Sequence, residues 1–359
     1  MKKIPNLIIL SVITLLLIIG CTNNNSPNPG NNSQNQILSI YNWSTYINPE
    51  ILKEFEQKYN IKIKYDTFES NDDLYAKLKP GNPGYDVIFP SDYMVTIMAK
   101  EGLLEPLNRE KITNIKNIEP KFLNPPFDPG NQYSLPYQWG TMGLGYNIKA
   151  TGGEINSWQA VFDKKYEGRV ALVDELRTML GGVLIYLGYD PNTTNPEEIN
   201  KAKDYIIEHR DTIAAFAPDT GQLLLDQGEV DIAVEWSGDI FQVMEENPDI
   251  RYTIPKEGSV IWVDTVAIAK NSPHKDTAEQ FINFLFEPEI SAKVSNFIKY
   301  GTPNKVAIEK GLINEKELKN PSLYPPTEVF NKLTYIKDVG EATRIYDEAW
   351  TEVKIGVGK

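Results

Sequence analysis

From Ile37 to Gly102 the apolar positions switch repeatedly between the two-residue period of a strand and the three-to-four-residue period of a helix. ILSIYNW (37–43) predicts a short strand. NPEILKEFEQKYN places Ile51, Leu52, Phe55 and Tyr59 on one helical face, with Asn48 as N-cap and Pro49 at the first helical position. IKIKYDTFES alternates like a strand with one wet face, NDDLYAKLK follows as a capped helix, YDVIFPS as a buried strand, and YMVTIMAKEG as a helix stopped by Gly102. A βαβαβα series of this kind predicts a parallel sheet with helices on its faces.

A loop rich in Pro and Asn is expected at 119–137, after which a second α/β unit begins. GRVALVDE reads as a strand, LRTMLGGVLIYLG and PEEINKAKDYIIEHR as helices, QLLLDQG as a short helix, and VDIAVEW as a buried strand. GSVIWVDTVAIAK (258–270) has the β-branched run of a strand covered on both faces, yet Trp262 and Asp264 stand inside it. A carboxylate in such a place costs several kcal/mol unless something satisfies it. HKDTAEQFINFLFEPEISAKVSNFI is helical by the spacing of Ala278, Phe281, Ile282 and Leu285. The fold class expected is therefore α/β, with two α/β units.

The N-terminus follows another pattern. Lys2 and Lys3 precede an apolar run from Leu7 to Ile19 that ends in Gly20 and Cys21, the anatomy of an export signal and too short for a comfortable membrane span. Cys21 is the single cysteine of the chain, which rules out an intramolecular disulfide, and its position after Ile18-Ile19-Gly20 resembles a bacterial lipobox. TNNNSPNPGNNSQNQ (22–36) has no charged or large apolar residue and cannot build a core. With a coil reach of roughly 20 Å it reads as a tether between a lipid on Cys21 and the body.

Charge narrows the function classes. The 359 residues carry a formal net charge of −13, so no basic stripe is available for a nucleic-acid backbone. His209 and His274 sit in polar helix-end settings, and HExxH, GxSxG, CxxC and a phosphate-cradling glycine loop are all missing from the sequence. No metal, cofactor or catalytic residue is expected.

What remains is a set of residues at strand ends, where open α/β sheets bind ligands. Asn42 to Tyr46 follow the first strand, Pro90-Ser91-Asp92-Tyr93 follow YDVIF, Asp174 and Glu175 follow RVALV, and Trp236 to Asp239 follow VDIAVE. Taken singly, Trp43 suits a core plug, Asp92 a helix N-cap and Asp174 a turn. Taken together they suit a long flexible cation, since carboxylates accept charge-assisted hydrogen bonds from ammonium groups and indoles take both cations and methylenes. A sugar site would also use Trp and Asp, and a hydrolase could use paired carboxylates at Asp174/Glu175 or Asp239/Asp264.

LSIYNWSTYI, TFESNDDLYAKL, YDVIFPSDYMV, FDPGNQYSLPYQWGTMGLGYN, PKEGSVIWVDTVAI, FINFLFEPEI and YGTPNKVA, in this order from Ile37 onward, resemble the polyamine-binding proteins of spermidine/putrescine ABC transporters. The resemblance implies a type II periplasmic-binding-protein fold with a ligand cleft between domains, delivery to permease subunits, and a location at the outer face of the cytoplasmic membrane or in the periplasm. The N-terminal pattern gives a signal peptide at 1–20 and a tether at 21–36, and the resemblance implies domain 1 at 37–141 plus 266–305 and domain 2 at 142–265 plus 306–359. Chain crossings fall near Gly140–Gly145, Asp264 and Thr302–Glu309. Trp43, Ser44, Thr45, Ser91 and Tyr93 would form one lip, and Glu175, Trp236 and Asp239 the other. Trp262, Asp264 and Tyr300 would complete the walls, with a ligand ammonium as partner of Asp264. Thr45 and Thr178 stand where spermidine binders often carry acids, and Ile336 near an often polar position, so the preference between spermidine and putrescine stays open.

Overall fold

The computed structural model describes residues 36–44, 46–218 and 220–357. The signal segment, Cys21, the tether up to residue 35, and Thr45 lie outside the described residues.

Among the described residues eleven strands form one sheet. They are β1 (Gln36–Trp43), β2 (Ile61–Phe68), β3 (Val87–Ile88), β4 (Leu104–Glu105), β5 (Ser134–Asn147), β6 (Val170–Val173), β7 (Ile213–Ala217), β8 (Ile232–Trp236), β9 (Ile250–Thr253), β10 (Ser259–Ala269) and β11 (Leu333–Tyr335). The main path runs β2-β1-β3-β10-β5-β8-β6-β7. β1 is parallel to β2 and β3, and β6 is parallel to β7 and β8. Between these parallel halves, β5 and β10 run antiparallel to each other and to β8 and β3 respectively. The expected α/β class with two halves and a cleft is what the chain adopts.

Local chemistry explains most element ends. The Asn48 side chain accepts from Glu50 N, Pro49 opens the helix Pro49–Tyr59, and Asn60 leaves it in the left-handed region at φ 54°. The helix Asp92–Lys100 is followed by Gly102 at φ 68°. The long helical stretch after residue 274 is two helices, Lys275–Leu285 and Pro288–Ile298, because Pro288 has no N–H to continue the first and suits the start of the second.

Two expectations need correction. The Pro/Asn-rich loop ends earlier than residue 137, because Ser134 already opens β5, a buried strand running to Asn147. Its glycines are spaces for partners: a Cβ on Gly140, Gly143 or Gly145 would lie 2.5, 2.4 or 2.4 Å from Trp262, Tyr252 or Ile240. The third crossing also comes later than Thr302–Glu309. Ala307 and Ile313 pack on Ala292 of the helix Pro288–Ile298, and Asn296 Nδ2 donates to Leu312 O at 2.9 Å, so this segment stays with the first half. Leu333–Tyr335 then pairs with Ser259–Ile261, and Tyr346 and Trp350 enter the core of the second half.

The first half is held by an aromatic cluster in which Phe55 meets Phe281 edge-on at 4.9 Å, the second by Trp158, Tyr346 and the β6 residues. No helix among the described residues is long and apolar enough to cross a membrane.

Candidate ligand-binding site

The sheet brings the ends of β1, β3, β6 and β8 toward the middle of β10. Trp43, Ser44, Ser91, Tyr93, Glu175, Trp236, Asp239, Trp262, Asp264 and Tyr300 line one cavity of about 410 Å³, a size suited to a small molecule. Of the predicted ligand-binding residues Thr45 is not placed, since it, like the predicted lipidation site Cys21, lies outside the described residues.

Asp264 faces this cavity because it is two residues from Trp262 on one strand, so both side chains leave the same side of the sheet. Trp262 stands opposite Gly140 in the β5 register, and the missing Cβ there gives its indole room. Asp264 is 7% exposed. Its protein partner is Ser91, whose Oγ donates to Asp264 Oδ1 at 2.6 Å. Asn71 orients that hydroxyl by donating to Ser91 Oγ at 3.0 Å while its Oδ1 accepts from Ser91 N at 3.1 Å. Ser91 is positioned as the N-cap of the helix Asp92–Lys100 but makes no side-chain cap bond. The phenol of Tyr46 lies against the same carboxylate without completing a hydrogen bond.

Asp239 sits in the first turn of the helix Ser237–Glu246 and accepts from Tyr300 Oη at 2.6 Å. Gly238 allows this approach, because a Cβ there would lie 2.5 Å from the Tyr300 ring. Glu175 is the N-cap of the helix Leu176–Tyr186 and accepts from Thr178 N at 2.7 Å. Burial raises the Glu175 carboxyl, and the Thr178 donor opposes that rise. Burial pushes Asp264 and Asp239 each up to about 6, with the hydroxyls of Ser91 and Tyr300 pulling the other way.

The aromatic wall is continuous. Trp236 meets Trp262 edge-on at 6.1 Å, Trp262 meets Tyr300 at 4.9 Å, and Tyr300 meets Tyr46 at 5.7 Å. Trp43 is fixed apart from them by its Nε1–H donating to Phe89 O at 2.9 Å and by Phe68 at 4.6 Å.

Three residues that line the cavity, Tyr46, Asn71 and Asp92, stand outside the expected lips and walls. Tyr46 was part of a strand end but carried no separate signal, and Asn71 looked like an ordinary helix start. Asp92, read as a possible N-cap, is instead the first residue of its helix, is 2% exposed, and lines the cavity. Asp174 goes the other way: Lys354 pairs with it at 2.8 Å and Trp350 Nε1 donates to it at 3.0 Å, which commits it to the C-terminal helix.

The electrostatic result is one-sided. Among the described residues Asp92, Glu175, Asp239 and Asp264 form no ion pair; the buried Arg177 guanidinium acts on the Glu175 carboxyl, lowering it, without pairing with it, and Lys354 at the edge is taken by Asp174. No group of His, Cys, Asp and Glu among the described residues could hold a metal ion. Buried carboxylates with hydroxyl donors and aromatic faces can hold organic cations by charge, hydrogen bond and cation–π contact.

Comparison with known proteins agrees with this chemistry. The chain is 37% identical over 326 residues to the spermidine/putrescine-binding periplasmic protein of Salmonella typhimurium, covering 90% of this chain and 93% of that one. Its fold matches the spermidine/putrescine ABC transporter substrate-binding protein of Streptococcus pneumoniae with a TM-score of 0.81 and 35% identity, over 90% of this chain and 99% of that one. A lipoprotein of Treponema pallidum matches with a TM-score of 0.80 and 29% identity, over 89% of this chain and 99% of the other. Residues 50–322 match the family model described as bacterial extracellular solute-binding protein. The chain belongs to the bacterial extracellular solute-binding protein family.

Proposed function

We propose that this protein captures polyamines, spermidine or putrescine, outside the cytoplasmic membrane and hands them to the permease of an ABC importer, without catalysing a reaction. The observation that carries this reading is the set of four carboxyl groups in one cavity, Asp92 and Asp264 buried and Glu175 and Asp239 half-buried, that form no ion pair among the described residues and are walled by Trp43, Trp236, Trp262 and Tyr300. Burying such charges is unfavourable in an empty receptor and is offset when ammonium groups enter. Asp264, Asp239 and Glu175 hold the ammoniums, Ser44, Ser91 and Tyr93 add hydrogen bonds or contacts, and the indoles cover the methylenes. The related proteins of Salmonella typhimurium and Streptococcus pneumoniae carry spermidine and putrescine in their names, which supports the same ligand class here. The two halves act as domains that close on the ligand.

A thermal-shift panel of polyamines, amino acids and sugars tests this, since a ligand that binds only the folded state stabilises it by about 2.7 kcal/mol at a hundred times its Kd. Spermidine and putrescine are expected to raise the melting temperature. Stabilisation by a sugar or an amino acid, with no response to either polyamine, would overturn the reading.

The body is held at the membrane by a lipid on Cys21, with residues 22–36 as tether. The lipobox-like Ile18-Ile19-Gly20-Cys21 supports this, and so does the likeness to a protein named as a lipoprotein in Treponema pallidum. Cys21→Ser is expected to abolish acylation and processing at that residue, whereas a body beginning near Ile37 should bind ligand normally. Mass spectrometry finding mature wild-type protein with an unmodified residue 21 would overturn the anchor.

A further inference from the structure

A diamine brings two charges to the cavity, and the carboxyls already given roles, Asp264, Asp239 and Glu175, can meet both ends. Asp92 is left over. It is 2% exposed, lines the cavity, and pairs with no cation among the described residues. It stands beside Asp264: its Oδ2 accepts from Val263 N, the residue before Asp264, and Ser91, the residue before Asp92, donates to Asp264 Oδ1, while Glu175 lines the same cavity. No acid can be supplied by Thr178 or Ile336, which are 6% and 5% exposed and line the same cavity.

We propose that Asp92 is a specificity-determining residue, the counter-charge for the internal ammonium of a triamine, and that it favours spermidine over putrescine. The assignment rests on the polyamine reading of the cavity. An extended triamine with one end at Asp264 and the other at Glu175 or Asp239 carries its internal ammonium one spacer along from Asp264, in the cavity that Asp92 lines beside Asp264. A diamine leaves the Asp92 carboxyl neutral and spectating, because both of its charges are met elsewhere. Burial pushes Asp92 up to about 8, and the titratable groups that face it are Asp264, Glu175, Tyr93 and Tyr335. A third ammonium shifts that group to its charged form and releases its proton to solvent.

The competing role is structural. Asp92 Oδ1 accepts from Tyr93 N at 2.7 Å and Oδ2 from Val263 N at 3.3 Å, bonds that fasten the helix start to β10. A purely structural Asp92 would affect both ligands alike, through folding or cavity shape.

The test compares both ligands by titration calorimetry on wild type, Asp92→Asn and Asp92→Thr, each of which keeps a short acceptor, with melting temperatures as the folding control. Spermidine is expected to weaken by about tenfold or more in both variants and putrescine by less than about threefold, as for loss of one partner of a buried charge pair. Wild type titrated near pH 7 in buffers of different ionisation enthalpy gives a readout independent of any variant: spermidine binding should release about one proton more than putrescine binding. Equal losses for the two ligands, unchanged spermidine affinity, or equal proton release would each overturn the Asp92 assignment. If wild type binds neither polyamine, the ligand class itself fails, which is a separate outcome.

Discussion

Asp264→Asn is expected to weaken spermidine and putrescine binding by about 30-fold to several thousand-fold, a loss of ~2–5 kcal/mol for a bound ammonium stripped of its buried counter-charge. The substitution keeps the shape of the side chain. An amide oxygen can still accept from Ser91 Oγ, which donates to Asp264 Oδ1 at 2.6 Å in the wild type. It also removes a charge that the empty receptor holds at a cost, since burial pushes the Asp264 carboxyl up to about 6. Above that pH the ionised group opposes folding, so the empty Asp264→Asn protein should melt no lower than the wild type. Affinity and stability therefore move in opposite directions, or stability stays still. Calorimetry of both ligands with melting curves of the empty proteins decides the matter. Unchanged affinity with a lower melting temperature would make Asp264 a structural group served by Ser91.

The placing of Asp264 was legible because Trp262 and Asp264 interrupt a β-branched run two residues apart, and that period puts both on one face. The strand ends after β1, β3, β6 and β8 were legible for a similar reason: local apolar runs mark the strands, and the residues that follow them are neighbours in sequence. β5 was hidden. Gly140, Gly143, Gly145 and Pro136 disfavour a strand by propensity, and what keeps them in one is contact with Trp262, Tyr252 and Ile240, none of them near in sequence. The C-terminal helix Thr343–Val357 carried a usable signal in Tyr346, Ala349, Trp350 and Val353, spaced as one helical face. Asp92 could not be read correctly from its neighbours. Whether an acid at a helix start turns to solvent or inward depends here on Val263 N, 171 residues away.

The pH response follows from the same carboxyls, and its sign can be worked out. In the empty folded protein Asp92 titrates at about 8 and Asp239 and Asp264 at about 6, all raised first by burial. In the unfolded chain an Asp titrates near 3.9. Between about pH 4 and pH 8 the folded form thus holds protons that the unfolded form has lost, and stability falls as pH rises, by up to ~1.4 kcal/mol per pH unit for each such proton. The stabilising difference is fully present below pH 4 and is lost as pH passes through the raised values. A polyamine reverses the preference, because its ammoniums favour the ionised carboxylates and binding expels the protons. Affinity is therefore expected to climb between pH 5 and pH 8, by up to about tenfold per pH unit for each proton released. It should level off above the Asp92 value and decline near pH 10, where primary amines lose their own charge. Melting curves with and without spermidine across this range should show the empty protein losing stability toward pH 8 while the ligand-induced rise grows. A flat affinity profile from pH 5 to 8, or an empty protein that gains stability over the same interval, would mean that these carboxyls are already charged and compensated before any ligand arrives.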